Sequence, residues 1–344
     1  MVKFGIKPAM WFQSGEHKVA PTDQFKKIIT LTRTARDAGF HSLWVGQHYF
    51  SGKRPNWEAI PTLARLIPEA GSMTIGTCVL LLPLHHPVLV AEQSAVLDIL
   101  SGGKFVLGVG LGYREREFGG FGISRRERVS RFEEALSVIQ SLWTGGRVAF
   151  RGRHLSVNGV TTGTLPVQKP RCPIWIAAHG DRAVQRAARL GDSLIMNPHA
   201  SLETLERQVE LYKAALQAES KPFPRELAIR RDICIAKDRK TAWKEAGEDV
   251  PGLTEHLMAE GQDKELPASD GFSLRQGLPE LIRSRFIVGD PDDCVEQIDA
   301  YRRRLGVNHF ILRVACPDGG LRAMVEKTEL IGRKVIDAFH KASS

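Results

Sequence analysis

Polar residues that directly follow buried apolar runs are the part of this 344-residue sequence most able to do chemistry. Gln47, His48 and Tyr49 come immediately after the run Ser-Leu-Trp-Val-Gly. An imidazole at the carboxyl end of a strand can act as an acid or a base near neutral pH. The competing interpretation is that His48 only closes the strand end through a hydrogen bond, and its position alone leaves both open.

A second candidate is the glycine run at 108–112, Gly-Val-Gly-Leu-Gly, which is followed by Tyr113. The run is similar to a dinucleotide-binding motif but departs from it, since Tyr113 stands where the last glycine is required. The acidic segment after Tyr113 predicts a loop and not a helix. We interpret the glycines as positions where the backbone approaches a ligand or another strand closely.

A third candidate is the helix start after the predicted strand at 174–178, because free amides at the beginning of a helix attract phosphate. Its residues are Ala177, Ala178, His179, Gly180, Asp181 and Arg182. The histidine and the arginine could add charged donors, whereas a plain strand-to-helix turn capped by Asp181 is the competing interpretation. The helix start at 289–293 is a poorer phosphate site, since its three carboxylates would repel the anion.

Three arginines, Arg230, Arg231 and Arg313, lie inside two of the predicted strands. An arginine that faces the open end of a barrel would suit an anionic substrate or a flavin. Arginine side chains in strands also extend along the layer that faces the helices. The sequence leaves both placements open.

Strand and helix patterns that must position these residues alternate along almost the whole chain. Strands are predicted over 2–8, 42–46, 74–81, 104–109, 174–178, 192–196, 226–235 and 308–314, with helices between them. Ser124 and Glu127 predict a capping box, and 147–157 predicts a hairpin. The alternation predicts an α/β fold, a (β/α)8 TIM barrel forming one domain over 1–344 with an insertion, 237–285, after strand seven. A doubly wound parallel sheet is the alternative.

Composition narrows the class of protein. The formal net charge is +9, but lysine and arginine are spread along the chain, which favours solvated helix faces over a nucleic-acid surface. No apolar run has membrane-spanning length and no signal peptide is visible, so we expect a cytoplasmic protein without membrane contact. The five cysteines lack metal-ligand spacing, which predicts buried small hydrophobes and no metal.

Three segments, 75–88, 97–112 and 173–180, resemble the bacterial luciferase-like flavin monooxygenases, and the resemblance spans nearly the whole chain. It implies a (β/α)8 barrel that binds reduced FMN, or in one branch the deazaflavin F420, at the carboxyl ends of the strands. His48 matches a histidine that is catalytically important in luciferases. The resemblance also implies a cis peptide bond between Cys78 and Val79, which forms a bulge behind the isoalloxazine ring.

The resemblance has gaps at the phosphate end. Luciferases place a reactive cysteine and a phosphate-binding arginine where this sequence has Gly110 and Leu111. The cofactor phosphate would then rely on the helix start from Ala178 to Arg182. The insertion at 237–285 matches the lid region of the family.

These observations lead to the hypothesis of a flavin-dependent monooxygenase that uses FMNH2 and O2 on a small organic substrate. We predict His48, Gln47 and Tyr113 as catalytic residues. The predicted cofactor-binding residues are Cys78, Val79, Gly110, Ala177, Ala178, His179, Gly180, Asp181 and Arg182. No NAD(P)H motif is evident, so a separate flavin reductase is the expected partner, together with a homodimer. The alternatives are an F420-dependent hydride-transfer oxidoreductase and a non-catalytic flavin-binding or nucleic-acid-binding relative.

Overall fold

The computed structural model describes residues 1–8, 20–52, 56–267, 270, 277–317 and 320–341. Its strands are β1 (Lys3–Ile6), β2 (Ser42–Val45), β3 (Thr74–Thr77), β4 (Leu80–Leu81), β5 (Phe105–Gly110), β6 (Val148–Arg151), β7 (Ser156–Val160), β8 (Ile174–Ala178), β9 (Ser193–Met196), β10 (Ala228–Ile235), β11 (Ile287–Gly289) and β12 (His309–Val314).

The α-helices are α1 (Pro21–Asp37), α2 (Ala59–Ala70), α3 (Pro87–Leu100), α4 (Glu115–Gly120), α5 (Arg128–Leu142), α6 (Asp181–Leu190), α7 (Leu202–Ala218), α8 (Arg239–Ala259), α9 (Leu278–Arg285), α10 (Pro291–Leu305), α11 (Leu321–Leu330) and α12 (Asp337–Lys341). Short 3₁₀ turns cover Leu82–Leu84, Arg125–Glu127 and Asp263–Glu265, and a π-helical segment, Ile331–Ile336, joins α11 to α12. Within the described ranges, no helix is both long and apolar enough to cross a membrane.

Eight of the described strands form a closed parallel ring in the order β10, β12, β1, β2, β3, β5, β8, β9. The ring closes because β9 pairs with β10, with Ile195 opposite Ala228 and Met196 opposite Ile229. This closure confirms the predicted (β/α)8 TIM barrel and excludes the doubly wound sheet, which would keep two open edges. The predicted hairpin is also confirmed, with β6 and β7 pairing antiparallel outside the ring.

Apolar side chains account for the arrangement. The ring strands are buried on both faces, as in sheets covered by helices, and α1 turns Ile28, Leu31 and Ala35 towards them. Inside the ring, Trp44 and Trp175 stack with their ring centroids 5.1 Å apart. These large side chains fill the middle of the barrel between the described strands.

Local predictions were wrong at several places. Residues 74–81 form two strands and not one, since the chain bulges at Cys78 and Val79 between β3 and β4. The segment after the glycine run contains the helix α4 and not a loop. The capping box is absent: the Ser124 side chain makes no cap hydrogen bond, and Glu127 instead accepts one from Arg131 at 3.0 Å. The insertion, in which only helical pieces without a clear period were predicted, contains the continuous 21-residue helix α8.

Candidate active site

A cavity of about 400 Å³ opens at the carboxyl ends of the ring strands, where enzymes of this fold carry their active sites. It is lined by nine of the twelve residues predicted from the sequence to form the site: Gln47, His48, Cys78, Val79, Gly110, Tyr113, Ala177, His179 and Gly180. The structure therefore brings together residues from the ends of β2, β3, β5 and β8. Their individual roles stay predictions.

The other three predicted residues lie away from the cavity wall. Ala178 is buried in the main core, and Arg182 is exposed on the outside of the barrel. The Asp181 carboxylate pairs with the Arg207 guanidinium at 2.7 Å and does not cap α6, whose N-cap is Gly180. The competing interpretation of Asp181 as a cap is thus wrong. Of the predicted phosphate-binding residues from Ala178 to Arg182, His179 and Gly180 line the cavity.

A bulge at Cys78 and Val79 forms one wall of the cavity. The peptide bond between them is cis, as the resemblance implied. Two glycines make room for it: a Cβ atom at Gly46 would lie 2.8 Å from the Cys78 carbonyl oxygen, and one at Gly110 would lie 2.7 Å from Val79 Cγ2. This confirms that a glycine of the run at 108–112 permits close approach of another strand. The result is an apolar wall against which a planar ring can pack.

His48 is held by a buried carboxylate that the sequence did not predict. Its Nδ1 lies 3.0 Å from Glu117 Oε1 on α4, and the same oxygen accepts a hydrogen bond from the Tyr49 backbone amide at 2.8 Å. Burial lowers the pKa of the imidazole, while the hydrogen bond to Glu117 opposes that shift. A neutral His48 that donates from Nδ1 to the carboxylate keeps its Nε2 lone pair free as a base.

Tyr113 continues this side of the cavity. Its ring meets that of His48 edge-on, with the centroids 5.9 Å apart, and its hydroxyl donates to Gln262 Oε1 in the insertion at 3.3 Å. Burial raises the pKa of the phenol above its usual value. Tyr113 is therefore a neutral hydrogen-bonding group near pH 7.

Gln47 is engaged in hydrogen bonds at both ends of its amide. Its Nε2 donates to the Tyr49 hydroxyl at 2.9 Å and to Glu58 Oε1 at 2.5 Å. Its Oε1 accepts from the Leu81 backbone amide at 3.0 Å and lies 2.8 Å from His85 Nε2. Burial lowers the pKa of His85 to about 4, so this imidazole is neutral and donates. Both N–H groups of the amide and both lone pairs of its oxygen are therefore used. This geometry favours a positioning role for Gln47.

A cationic wall lies beside these groups. Arg230 on β10 and Arg313 on β12 both pair with the Asp232 carboxylate, at 2.7 and 2.9 Å, and Arg313 also meets Asp249 on α8 at 3.1 Å. The two guanidinium groups hold the pKa of Asp232 far below its usual range despite burial. Lys7, directly after β1, completes the wall.

The three arginines divide between the two placements that the sequence left open, the open end of the barrel and the layer that faces the helices. Arg230 and Arg313 line the cavity. Arg231, on the opposite face of β10, donates to the carbonyls of Asn197, Pro198 and Ala200 and lies over the Tyr301 ring of α10. Period-two alternation along β10 produces this division.

The insertion forms part of the cavity wall in the described ranges, and its residues 268–269 and 271–276 lie outside those ranges. Leu253 and Leu257 of α8 line the cavity. Two carboxylates tie the insertion to the segment after β5: Glu260 pairs with Arg116 at 2.8 Å and Glu265 pairs with Arg128 at 2.9 Å. These contacts hold the insertion beside the cavity.

The residues present fit a flavin or deazaflavin. The apolar bulge supplies a flat wall, and the start of α6 at Gly180 presents backbone amides towards a cavity with room beside it, since a Cβ there would meet only the Glu265 carbonyl oxygen, at 3.8 Å. Asn197 Nδ2, on the same cavity, is buried without a hydrogen-bond partner and is available to a ligand. In the described part of the chain, no group of three histidine, cysteine or acidic side chains could hold a metal.

An eight-stranded parallel barrel with a cavity at the carboxyl ends of its strands defines a TIM-barrel protein. The family model of the luciferase-like monooxygenases matches residues 5–309, and the chain belongs to that family. It is 30% identical to an F420-dependent glucose-6-phosphate dehydrogenase of Beutenbergia cavernae, over 87% of this chain and 89% of that one. It is 22% identical to the oxygenase component of a flavin-dependent trigonelline monooxygenase of Acinetobacter baylyi, over 80% of each chain.

Solved structures share the fold. A monooxygenase from Streptomyces bottropensis superposes with a TM-score of 0.82 at 22% identity, covering 98% of this chain and 99% of that one. The chain is therefore a member of a family of flavin- or F420-dependent oxidoreductases.

Proposed function

We propose that the chain is a flavin-dependent monooxygenase that uses FMNH2 and O2 on a small organic substrate. The observation that carries the proposal is the convergence, on one cavity, of the Cys78–Val79 bulge, the start of α6 at His179 and Gly180, and the His48–Glu117 pair. Bound reduced FMN would supply the electrons that activate O2. The chain would supply orientation, exclusion of water and a positioned base.

Each part of the cavity has a role in this proposal. The bulge packs against the ring, and the amides at the start of α6 receive the phosphate. His48 Nε2, freed by the bond from Nδ1 to Glu117, accepts or returns a proton at the ring edge. Tyr113 lines the substrate side. The α8 residues Leu253 and Leu257 keep water from the reacting atoms.

An anaerobic titration tests the proposal. We expect reduced FMN to bind the purified protein with a change in flavin fluorescence, and rapid mixing with O2 to give a flavin oxidation that differs from that of free FMNH2. Reduced FMN that neither binds nor changes its reaction with O2 would contradict the proposal.

F420-dependent hydride transfer is the second candidate, and the 30% identity to an F420-dependent dehydrogenase favours it. The neutral His48 suits it as well, because a base that removes the hydroxyl proton of an alcohol is what hydride transfer needs. The same titration performed with oxidised F420 separates the two candidates, since only one cofactor should bind at micromolar concentration. Binding of F420 alone would replace the monooxygenase proposal.

We further propose that the protein works in the cytoplasm as a homodimer supplied by a separate flavin reductase. The absence of an NAD(P)H motif in the sequence supports the reductase, and the apolar outer face of α3 supports the dimer. Purified protein with NADH and FMN should show no turnover until a reductase is added. NADH oxidation by the protein alone would remove the need for the partner.

A further inference from the structure

We propose that the cationic wall of Lys7, Arg230 and Arg313, with Asn197 beside it, is a subsite for an oxyanion carried by the substrate, a carboxylate or a sulfonate. Lys7, Arg230 and Asn197 would supply the donors. The inference rests on the proposed function only in assigning the anion to the substrate; the subsite itself is defined by the geometry of the cavity. A negative charge on the substrate would fix the orientation of its reacting carbon relative to the ring wall at Cys78 and Val79.

Topology collects these donors on one side of the barrel. The strands β9, β10, β12 and β1 are consecutive in the ring, and Asn197, Arg230, Arg313 and Lys7 come from their carboxyl ends or inward faces. Lys7 and the start of α6 follow β1 and β8, which lie four strands apart in the ring of eight and so on opposite sides. A cofactor phosphate at α6 therefore leaves the Lys7 side for a different group.

Two buried donors on this wall have no hydrogen-bond acceptor within the protein. Arg230 Nε and Asn197 Nδ2 are buried without a hydrogen-bond partner, and Asn197 is only 1% exposed. The Arg230 guanidinium already spends another nitrogen on Asp232, so the free Nε points to a second acceptor. Buried donors without partners are costly, and all of these groups can donate only. The complementary ligand is an oxyanion and not a cation or a neutral donor.

The net charge of the wall is positive and so also favours an anionic ligand. Lys7, Arg230 and Arg313 face the two carboxylates of Asp232 and Asp249, and the former is shared by both arginines. His199, 3.4 Å from Arg230, adds no charge because burial and Arg230 hold its pKa well below the usual value. One positive charge is left over, and Lys7 is the cation that has no short ion pair with these carboxylates.

The surroundings of Lys7 support this assignment. Burial lowers the pKa of the Lys7 amine to about 8, and the Arg230 and Arg313 guanidinium groups add to the shift, while Cys78 and Asp232 oppose it. Lys7 in turn lowers the pKa of His48, which places the amine within electrostatic range of the proposed base. An oxyanion on the wall would stabilise the charged amine.

Two matched probes test the subsite without any cofactor: hexanoate, which carries the anion, and hexanamide, which has the same shape without the charge. By calorimetry at pH 7 we expect hexanoate to bind at least about tenfold more tightly than hexanamide, the scale of one charge-assisted hydrogen bond. K7M should remove that preference, whereas K104M, which removes an exposed lysine near the start of β5, should retain it. An equal affinity for the two probes, or a preference retained in K7M, would overturn the proposal.

A pH series adds a second readout that a merely structural lysine would not give. Hexanoate affinity should fall as pH rises through about 8, because Lys7 loses its proton in the free protein. K7R should bind hexanoate with no loss up to pH 9, since a guanidinium stays charged. Because K7R keeps the cation, it carries the test even if K7M does not fold.

A comparison of FMN with riboflavin distinguishes a substrate subsite from a cofactor phosphate site. Riboflavin lacks the phosphate, so the ratio of the two affinities reports where that phosphate binds. The proposal expects the ratio in K7M to equal that of the wild-type chain. A ratio that collapses in K7M would assign the wall to the cofactor and overturn the substrate assignment. If no flavin binds at all, the proposed function fails while the hexanoate result still decides on the subsite.

Discussion

His48 and Glu117 show how a single contact sets the chemistry of a residue. Glu117 is fully buried, and its Oε1 lies 3.0 Å from His48 Nδ1, so it fixes which imidazole nitrogen carries the proton. The same oxygen holds the Tyr49 backbone amide, which keeps the end of β2 in place. The histidine alone, without this carboxylate, would have neither a defined tautomer nor a defined ring orientation.

We predict that E117Q shifts the titration of His48 to lower pH. The Glu117 hydrogen bond raises the His48 pKa against the larger lowering by burial, so removing the carboxylate charge leaves burial less opposed. The base is active when neutral, and the acidic limb of the pH–rate profile should move to lower pH with it. Because the charged partner is lost, kcat should fall by roughly ten- to a hundredfold.

NMR titration of the His48 ring and the pH profile of the flavin reaction check this prediction. The matched control is E115Q, on the same helix, because Glu115 is 78% exposed and pairs only at the surface with Arg125. A His48 titration that stays in place or moves to higher pH in E117Q would show that Glu117 is not the group that supports it.

Gln47 gives a prediction about stability. In Q47L, the Leu81 amide and the side chains of Glu58 and His85 each lose a partner. Unsatisfied buried groups cost about 1–3 kcal/mol each, and water can compensate for part of it, so we expect the free energy of unfolding to fall by about 2–3 kcal/mol. Urea denaturation measures the change. Q185L, at an exposed position of α6, should cost less than about 0.5 kcal/mol. Equal losses in both variants would contradict a stabilising role for the hydrogen bonds of Gln47.

At the scale of elements, the sequence predicted what depends on local pattern. The bounds of β8 agree with the predicted 174–178 because the apolar run and the glycine that follows it act within a few residues. Helical pieces were predicted in the insertion but not the continuous helix α8, because Pro251 and two glycines argue against one helix, whereas burial of Val250 and Leu257 stabilises it. The strand β11 is only three residues long and owes its strand conformation to pairing with β10.

The candidate site also contains residues that the sequence predicts and supporting residues that it does not. The residues predicted from the ends of strands came together because the fold class fixes where strands end. The supporting residues did not follow from the sequence: 69 positions separate His48 from Glu117, and 38 separate Gln47 from His85. Such pairs depend on tertiary geometry, and one sequence carries no signal for them. Lys7 and Asp232 were missed for the same reason, although Arg230 and Arg313 had been recognised.

The insertion yields a prediction at this scale. Glu260 and Glu265 hold it to the segment after β5 through partly exposed ion pairs with Arg116 and Arg128, and Glu260 also meets the buried Arg114 at 3.1 Å. Pairs of this kind contribute up to about 1 kcal/mol each, so E260Q/E265Q should increase the population of open forms by about fivefold or more. Hydrogen exchange of residues 253–265 should accelerate accordingly. Added salt should accelerate it in the wild-type chain more than in the variant, because salt screens exposed pairs.

The control for the insertion is E255Q, which removes an exposed carboxylate from the same helix. It should leave hydrogen exchange of 253–265 unchanged. Exchange that is equally fast in the control and in the double variant would mean that the ion pairs do not hold the insertion closed.

For the whole molecule, the barrel closes its own sheet but leaves large apolar side chains exposed on the outer face of one helix. The inner face of α3 packs Val90, Ala91 and Leu97 into the core. Its outer face carries Leu89, Val96 and Leu100, which are 51%, 44% and 56% exposed and lie in one stripe at helical spacing. Only Glu92 and Gln93 add polar groups to this face, so three large apolar side chains are left exposed close together.

We predict that a second copy of the chain covers this stripe and that L89E/V96E is monomeric. Two glutamates per copy would place like charges opposite one another in a two-fold contact and remove apolar area that drives association. Light scattering during size exclusion should give twice the chain mass for the wild-type protein and the single chain mass for the variant, with unchanged circular dichroism. F223E, which alters an apolar side chain that is 43% exposed elsewhere on the surface, should remain dimeric. Since the cavity lies within one barrel, the monomeric variant should still bind reduced FMN. A wild-type chain that elutes as a monomer at micromolar concentration would contradict the prediction that a second copy covers the apolar face of α3.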